Sequence, residues 1–117
     1  MTYVDGFVLA VPADRKEAFR AHAQSLQPFF REHGVTRVVE AWGDDVPDGK
    51  LTDFRGAVKA EDGETVVFSW TEWPSKESRD EGWKQVMADP DMQPDPAAMP
   101  FDGKRMIYGG FAPLIDG

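Results

Sequence analysis

The sequence predicts an α+β domain of the ferredoxin-like class, with elements in the order β-α-β-β-α-β. Four segments rich in β-branched and aromatic residues predict the strands, and a helical segment follows the first and the third of them. Right-handed crossovers applied to this order give an antiparallel sheet with strand order 4-1-3-2 and both helices on one face. The chain has 117 residues, a length that fits one domain spanning residues 1–117.

The first strand is predicted over residues 3–11, because apolar side chains occupy both alternating sets of positions there. Asp14 lies three residues before Glu17, the spacing of a capping box, and is therefore expected to begin the first helix. Apolar residues recur along one arc of that helix, with charged residues opposite. Gly34 is expected to end it as a C′ glycine.

Three further strands are predicted, over residues 35–42, 64–73 and 105–115. The insert after the second strand begins with an acidic, turn-rich loop at residues 44–53. Thr52 either caps a short helical turn or precedes a short strand. Ser75 is expected to cap the second helix, which continues to about Met87. Residues 89–100 contain four prolines and are predicted to be neither helix nor central strand.

The predicted sheet is apolar on both faces, although two helices cover only one of them. On the first strand, Phe7 and Leu9 belong to one face, and Val8 and Ala10 belong to the other. A face exposed to water would carry polar residues at alternate positions. The uncovered face is therefore expected to pack against a second copy of the chain in a homodimer. The alternative is a monomer in which residues 44–63 fold over this face.

Composition excludes several classes of function. The chain has no cysteine, which excludes disulfides, thiolate catalysis and cysteine-bound metal centres. The formal net charge of −8 argues against nucleic acid and against an anionic membrane surface as partners. No basic segment precedes an apolar run at the N-terminus, and no apolar stretch approaches the ~20 residues that span a bilayer. These features predict a cytoplasmic protein.

Five segments carry a resemblance to a known family: YVDGF at 3–7, VPADRKEAF at 11–19, WGDDVPDGKLTDFR at 42–55, VVFSWTEWPSKESRD at 66–80 and MPFDGKRMIYGGF at 99–111. In these segments the chain resembles the YbaA-like bacterial family, a domain-of-unknown-function group. The resemblance implies membership of the dimeric α/β-barrel superfamily, which includes cofactor-free monooxygenases, haem-binding enzymes and isomerases. It implies no catalytic residues. Some members bear a name tied to signal recognition particle RNA, which the net charge of −8 does not support.

Two histidines in the apolar arc of the first helix are candidates for a pocket between helix and sheet. His22 and His33 are eleven residues apart, about 16 Å along a helix, so they cannot bind one metal ion together. Each could serve as an acid/base group or as an axial haem ligand. The alternative is a structural role, with hydrogen bonds to backbone or a carboxylate. No metal site and no cofactor is predicted.

Charged residues inside the strands must face water or have a partner, because an unpaired buried charge costs several kcal/mol. One pairing of the second and third strands would bring Glu40 and Glu72 together beside Trp42 and Trp70. Desolvation there would raise a carboxyl pKa and suit a general base. The alternative is neutralisation in structural or interface salt bridges by Arg37, Arg55, Lys104 or Arg105.

Glycines in the first and fourth strands mark another candidate site. Gly6 and the Gly109–Gly110 pair indicate either a bulge that bends the sheet or a small pocket with Tyr3 or Tyr108 at its edge.

Lys104 and Arg105 follow a predicted tight turn at Asp102–Gly103. In an acidic chain this cationic pair is a candidate anchor for a carboxylate or phosphate of a small ligand. The alternative is a salt bridge from the pair to the loop at residues 44–53.

Two hypotheses of function follow. The first is a small-organic-ligand-binding module or, by the superfamily resemblance, a cofactor-independent enzyme of monooxygenase or isomerase type. The second is a non-enzymatic protein-interaction module that uses its acidic surface and residues 89–100. A pocket with converging polar groups would favour the first. Its candidate catalytic residues are His22, Glu40 and Glu72, and its candidate ligand-binding residues are Tyr3, His33, Trp42, Trp70, Lys104, Arg105 and Tyr108.

Overall fold

A computed structural model, which describes residues 2–90 and 99–116, has the predicted order of elements. The elements are β1 (Tyr3–Pro12), a 3-10 turn (Ala13–Arg15), α1 (Lys16–Glu32), β2 (Arg37–Trp42), α2 (Phe54–Ala57), β3 (Glu64–Trp73), α3 (Lys76–Ala88), a second 3-10 turn (Gly103–Arg105) and β4 (Ile107–Phe111). The fourth strand is therefore shorter than predicted. Most of the predicted loop at 89–100 lies outside the described residues.

All strand pairs are antiparallel, and the sheet order is β2-β3-β1-β4. This is the predicted 4-1-3-2 order seen from the opposite edge, so the ferredoxin-like topology is confirmed. Directly paired residues share a face of the sheet. Asp5 pairs with Thr71, and Glu40 pairs with Ser69. The sheet of one chain is open, with β2 and β4 at its edges.

The predicted capping box at the start of α1 is wrong. Residues 13–15 form a 3-10 turn, so Asp14 lies before the helix and Arg15 occupies the N-cap position without a side-chain hydrogen bond. The predicted end of the helix is confirmed. Gly34 has φ of +110°, a left-handed conformation that favours glycine, and its N–H donates to the Arg31 carbonyl.

The two other helices have side-chain caps. Ser75 accepts a hydrogen bond from the Ser78 N–H at 3.0 Å, as predicted. The insert forms the short helix α2, and its cap is Asp53, which accepts from the Gly56 N–H. Thr52 is not the cap, because the chain turns into the helix one residue later.

Both long helices pack on the same face of the sheet. Under α1 the core consists of Leu9, Val11, Phe19 and Val67. On the α3 side, the indole of Trp73 is fully buried and lies 6.1 Å from that of Trp83. Gly82 permits this close approach, since a Cβ there would lie 2.3 Å from the Trp73 ring.

The other face of the sheet is covered at one end only. Val58 of the insert is buried against Ala10 and Val66, with the Phe54 ring on Phe68. The alternative that the insert folds over this face is thus met over part of its area. At the edge of the covered part and beyond it, the exposed apolar side chains of this face are Phe68 (45%), Ile107 (45%) and Phe111 (62%).

Candidate ligand-binding cleft

A cleft of about 240 Å³ lies between α1 and β2, on the helix-covered face of the sheet. Its helix wall is one stripe of α1, because the lining residues recur three and four positions apart. They are Lys16, Phe19, Arg20, Ala23, Gln24 and Gln27. The sheet wall consists of Glu40, Trp42 and Val67.

Aromatic rings form the apolar part of the cleft. The rings of Phe19 and Trp42 lie 6.3 Å apart at 46°, and the Lys16 ammonium lies 5.6 Å from the Trp42 ring centroid. At the rim, Arg20 forms an exposed ion pair with Glu17 at 3.1 Å. Among the described residues, Lys16 has no carboxylate within ion-pair distance. The cleft therefore combines a flat apolar wall with an ammonium that lies over it.

Glu40 supplies a carboxyl group to the cleft. Burial raises the pKa of its carboxyl above the ordinary value, and a hydrogen bond with the Ser69 side chain opposes that rise. The carboxyl, with its pKa raised, can accept a hydrogen bond within the cleft and, when protonated, donate one.

The predicted meeting of Glu40 and Glu72 is wrong. Glu72 pairs with Arg37 across the strands, and its neighbour Trp70 shares its face, whereas Glu40 and Trp42 face the helices. A one-residue difference in register places a side chain on the opposite face. Glu72 accepts from the Trp70 indole N–H at 2.9 Å and lies 3.6 Å from the Arg37 guanidinium.

Neither histidine lines the cleft. The ring centroids of His22 and Phe101 lie 6.1 Å apart in a T-shaped arrangement, and burial lowers the pKa of the His22 imidazole. His33 follows α1, with Nδ1 3.0 Å from the Gln85 Oε1 and Nε2 3.8 Å from the Asp89 carboxylate. His33 therefore joins the end of α1 to α3, as in the structural alternative.

The paired residues of β1 and β4, which contain the strand glycines, show no bulge. The β1–β4 register runs without interruption from Val4–Phe111 to Val8–Ile107, so the predicted bulge is wrong. Phe111 lies over Gly6 and Gly109, where added Cβ atoms would be 3.5 Å from its ring.

The two tyrosines near these glycines are placed differently. A Cβ at Gly110 would lie 2.6 Å from the Tyr3 hydroxyl, so glycine lets this side chain lie flat on the sheet. The Arg79 guanidinium covers the Tyr3 ring at 5.2 Å. The Tyr108 ring stacks on that of Phe7, with ring centroids 6.3 Å apart, and Tyr108 remains 74% exposed.

Arg105 is engaged in a structural clasp. Its guanidinium donates two hydrogen bonds to Glu64, at 2.7 and 2.8 Å, and one to Asp102 at 3.0 Å. The expected bridge to the loop at 44–53 is therefore wrong. The Arg105 hydrogen bonds lower the pKa of Glu64 to about 2. Lys104 is exposed and contributes its backbone N–H to Asp102.

Asp5 of β1 is a buried carboxylate, and like every charge within the strands it was expected to face water or have a partner. Its oxygens accept from the Arg79 guanidinium at 2.7 to 3.1 Å, from the Trp73 indole at 3.1 Å and from the Trp83 indole at 2.7 Å. The bond with Asp5 raises the pKa of Arg79. With all its donors supplied by the chain, Asp5 is a structural group.

The structure thus brings together Glu40 and Trp42 of the predicted site residues. Sequence reasoning missed the polar flank of α1, namely Lys16, Arg20, Gln24 and Gln27. Their spacing beside the apolar arc was a usable signal, although Lys16, Arg20 and Gln24 are also exposed to solvent. Within residues 2–90 and 99–116, no cluster of three or more acidic or histidine side chains could hold a metal ion. In the same part of the chain, no helix has the length and apolar character needed to cross a membrane.

Comparison of the sequence with known proteins gives close relatives over the full length. Residues 2–103 match the family described as "Protein of unknown function (DUF1428)". "Uncharacterized protein YbaA" of Escherichia coli (strain K12) is 61% identical over 116 residues, covering 99% of each chain. The protein of the same name from Shigella flexneri gives the same values.

Two solved structures share the fold. A dimeric ferredoxin-like protein from an uncultured marine organism has a TM-score of 0.62 at 8% identity and covers 100% of both chains. Rv0793 from Mycobacterium tuberculosis has a TM-score of 0.52 at 16% identity, covering 99% of this chain and 98% of that one. At these identities the likeness shows the fold alone.

Proposed function

The chain belongs to the DUF1428 family, and on that premise we propose that it is a small-organic-ligand-binding protein whose site is the cleft between α1 and β2. The observation that carries the proposal is the convergence of Lys16, Glu40 and Trp42 on one concave volume. The volume of about 240 Å³ lies just below the ~300–1,000 Å³ typical of drug-sized ligands, so the ligand is expected to be small. If the protein is an enzyme, Glu40 is the acid/base residue.

Replacement of either of two alanines of α1 by leucine tests the cleft. Ala23 lines it, whereas Ala21 is exposed two residues away. Ala23→Leu fills part of the cleft and is expected to abolish binding of fragments detected by saturation-transfer NMR, while Ala21→Leu leaves binding unchanged. Native mass spectrometry of freshly purified protein should show any retained ligand lost from the first variant only. A fragment screen with no binder sensitive to Ala23→Leu would reject the cleft.

We further infer that two copies of the chain pack through the uncovered part of the open sheet face. The exposed apolar side chains Phe68, Ile107 and Phe111 support this assembly, since one chain leaves them in water. The structural neighbour described as dimeric shares the topology. This surface also supports self-association as the role of the face, in preference to docking of an unrelated protein.

Adjacent residues of β4 provide a matched test of the dimer. Ile107 lies on the open face, and Tyr108 lies on the opposite one. Ile107→Lys is expected to convert a dimer to monomers in sedimentation velocity at micromolar concentration, because it places a charge in the interface. Tyr108→Lys should remain dimeric. A monomeric wild-type chain would contradict the assembly.

A further inference from the structure

The open sheet face has a step, because the insert covers one of its two ends. At the covered end, Val58 of the insert lies on Ala10 and Val66. At the other end of the same face, Phe111 is 62% exposed and the Arg37 side chain is 64% exposed. A second copy that packs on this face must therefore fit two levels, the covered end and the uncovered end.

Two symmetric ways of stacking the sheets treat this step differently. A two-fold axis along the strands places the covered end of one copy on the covered end of the other. An axis across the strands places each covered end on the partner's uncovered end, with the strands of the two copies running in opposite directions. Sheets packed face to face lie about 10 Å apart, a gap that holds one insert but not two. The step therefore favours the axis across the strands.

The charges along β2 favour the same axis. Arg37 begins this strand at the uncovered end of the face. The loop at residues 44–53 follows the strand at the covered end and carries the exposed carboxylates of Asp44, Asp45 and Asp48. An axis across the strands stacks β2 on the partner's β2 in the opposite direction, which brings the cation of one copy to the acidic loop of the other. An axis along the strands brings β2 to the partner's β4 instead.

We propose, resting on the assembly inferred above, that the two copies pack about a two-fold axis across the strands, so that the insert of each lies on the uncovered end of the partner's sheet. Leu51 is fully exposed in one chain and Phe54 is 48% exposed, so both have apolar surface to bury there. Each copy contributes one insert and one uncovered end, as a self-complementary interface requires. Pairing of Arg37 with the partner's acidic loop fixes the orientation more than the affinity.

Cross-linking between introduced cysteines tests the axis, since the chain has no cysteine of its own. The double variant Arg37→Cys/Asp45→Cys carries one thiol at each end of β2. The six residues of this strand span about 20 Å, so the two positions are well separated within one chain. Between copies related by the proposed axis they lie close together. A short bis-maleimide is therefore expected to give a covalent dimer on a denaturing gel.

Arg37→Cys/Ala112→Cys is the control for the axis. Ala112 is exposed and follows β4 at the uncovered end of the sheet, where an axis along the strands would bring it to the partner's Arg37. We expect no covalent dimer above the level of the single variants. Linking of this control alone, of both double variants equally, or of neither while the wild-type chain sediments as a dimer would overturn the axis and leave the assembly standing. A monomeric wild-type chain would overturn both.

Two leucine variants measure the contribution of the insert. Leu51 and Leu114 are both almost fully exposed in one chain, so replacement of either by serine should leave folding unchanged. Leu51→Ser should raise the dissociation constant of the dimer, measured by sedimentation equilibrium, about tenfold for each of its two insert contacts. Leu114→Ser, in the segment after β4, should leave it unchanged. An unchanged constant in Leu51→Ser, or an equal rise in both variants, would overturn the contact between insert and partner.

Discussion

Asp5 and Glu40 lie on the same face of one sheet, and the surroundings of the two carboxyls differ in almost every respect. Asp5 is 3% exposed, and one guanidinium and two indoles donate to it. Glu40 borders a cleft, where a side-chain hydrogen bond with Ser69 only partly offsets desolvation. The first carboxylate has its hydrogen-bonding capacity filled by the chain, whereas the second retains capacity for a ligand.

This difference teaches that a buried charge need not indicate a functional site. Donors from distant parts of the chain hold the Asp5 carboxylate, which therefore links β1, β3 and α3. Glu40 is more exposed, and desolvation in the cleft raises the pKa of its carboxyl. A group in that condition can exchange a proton or a hydrogen bond with something that enters the cleft.

Removal of the Asp5 charge is expected to have the largest effect. Asp5→Asn leaves Arg79 only its exposed partner Asp80 and sets an amide NH₂ against the guanidinium or the indole donors, so the free energy of unfolding should fall by about 3–5 kcal/mol. Urea denaturation followed by tryptophan fluorescence measures the loss. Adding Arg79→Met to Asp5→Asn should cost less than the sum of the single variants. A loss below about 1 kcal/mol would contradict the structural role of Asp5.

The clasp between Arg105 and Glu64 extends the comparison to a third carboxylate. The folded pKa of Glu64 is about 2, below its ordinary value of 4.5. Its stabilisation is therefore fully present above pH 4.5 and lost as the pH falls toward 2. Arg105→Gln should lower the free energy of unfolding by about 1.5–3 kcal/mol at pH 6, with a smaller difference at pH 3.

Arg37→Gln is the control for this clasp, because the Arg37 side chain is 64% exposed and lies 3.6 Å from Glu72. Its effect should stay below about 0.5 kcal/mol at both pH values. Equal losses in the two arginine variants, or an Arg105→Gln deficit that does not shrink in acid, would show that the Glu64 pair is not the cause.

The same substitution at two tryptophans sharpens the contrast between the Asp5 network and the cleft. Trp83→Phe removes the indole donor to Asp5 and should destabilise the fold by about 1–3 kcal/mol. Trp42→Phe removes part of the cleft wall, so fragment binding should weaken more than stability does. Chemical denaturation and ligand-detected NMR on both variants separate the two effects. Weaker fragment binding in Trp83→Phe than in Trp42→Phe would contradict the division of roles.

Local signals in the sequence were sufficient for most of the fold. Apolar periodicity located the strands, and the handedness of crossovers fixed their order. Ser75 and Gly34 marked helix ends because capping depends on a few neighbouring residues. The predictions of Asp14 and Thr52 as caps were wrong, because nearby residues changed where each helix begins. A 3-10 turn at residues 13–15 moves the N-cap of α1 to Arg15, and Asp53 caps α2 in place of Thr52.

The sites depend on contacts between distant residues, and these could not be deduced from local pattern. The register of β2 against β3 decides whether Glu40 faces Glu72, and a one-residue change reverses the answer. The donors to Asp5 are 68 to 78 positions away in the chain. The sequence contains many lysines and arginines that could pair with Asp5 or with Glu64. It therefore does not show that Arg79 pairs with Asp5 and Arg105 with Glu64.

The smallest expected effect concerns Glu40, whose pKa shift has the opposite sign to that of Glu64. Its folded pKa is raised, so its protonated form is favoured by folding. The stabilisation it contributes is present below its ordinary pKa and is lost as the pH rises through the folded value. Glu40→Gln keeps a neutral side chain of the same shape. At pH 7 we therefore expect unchanged or slightly higher stability, by up to about 0.5 kcal/mol, because water still reaches the carboxyl.

Urea denaturation at pH 7 and pH 4 checks this sign, with Glu32→Gln at the exposed end of α1 as the control for removing one negative charge from an acidic chain. The advantage of Glu40→Gln over Glu32→Gln should disappear at pH 4, where Glu40 is itself protonated to a larger extent. A loss of more than about 1 kcal/mol at pH 7 would place Glu40 with Asp5, as a carboxylate whose charge the fold needs. Glu40 would then be unsuited to exchange a proton with a ligand, and its acid/base role in the cleft would have to be abandoned.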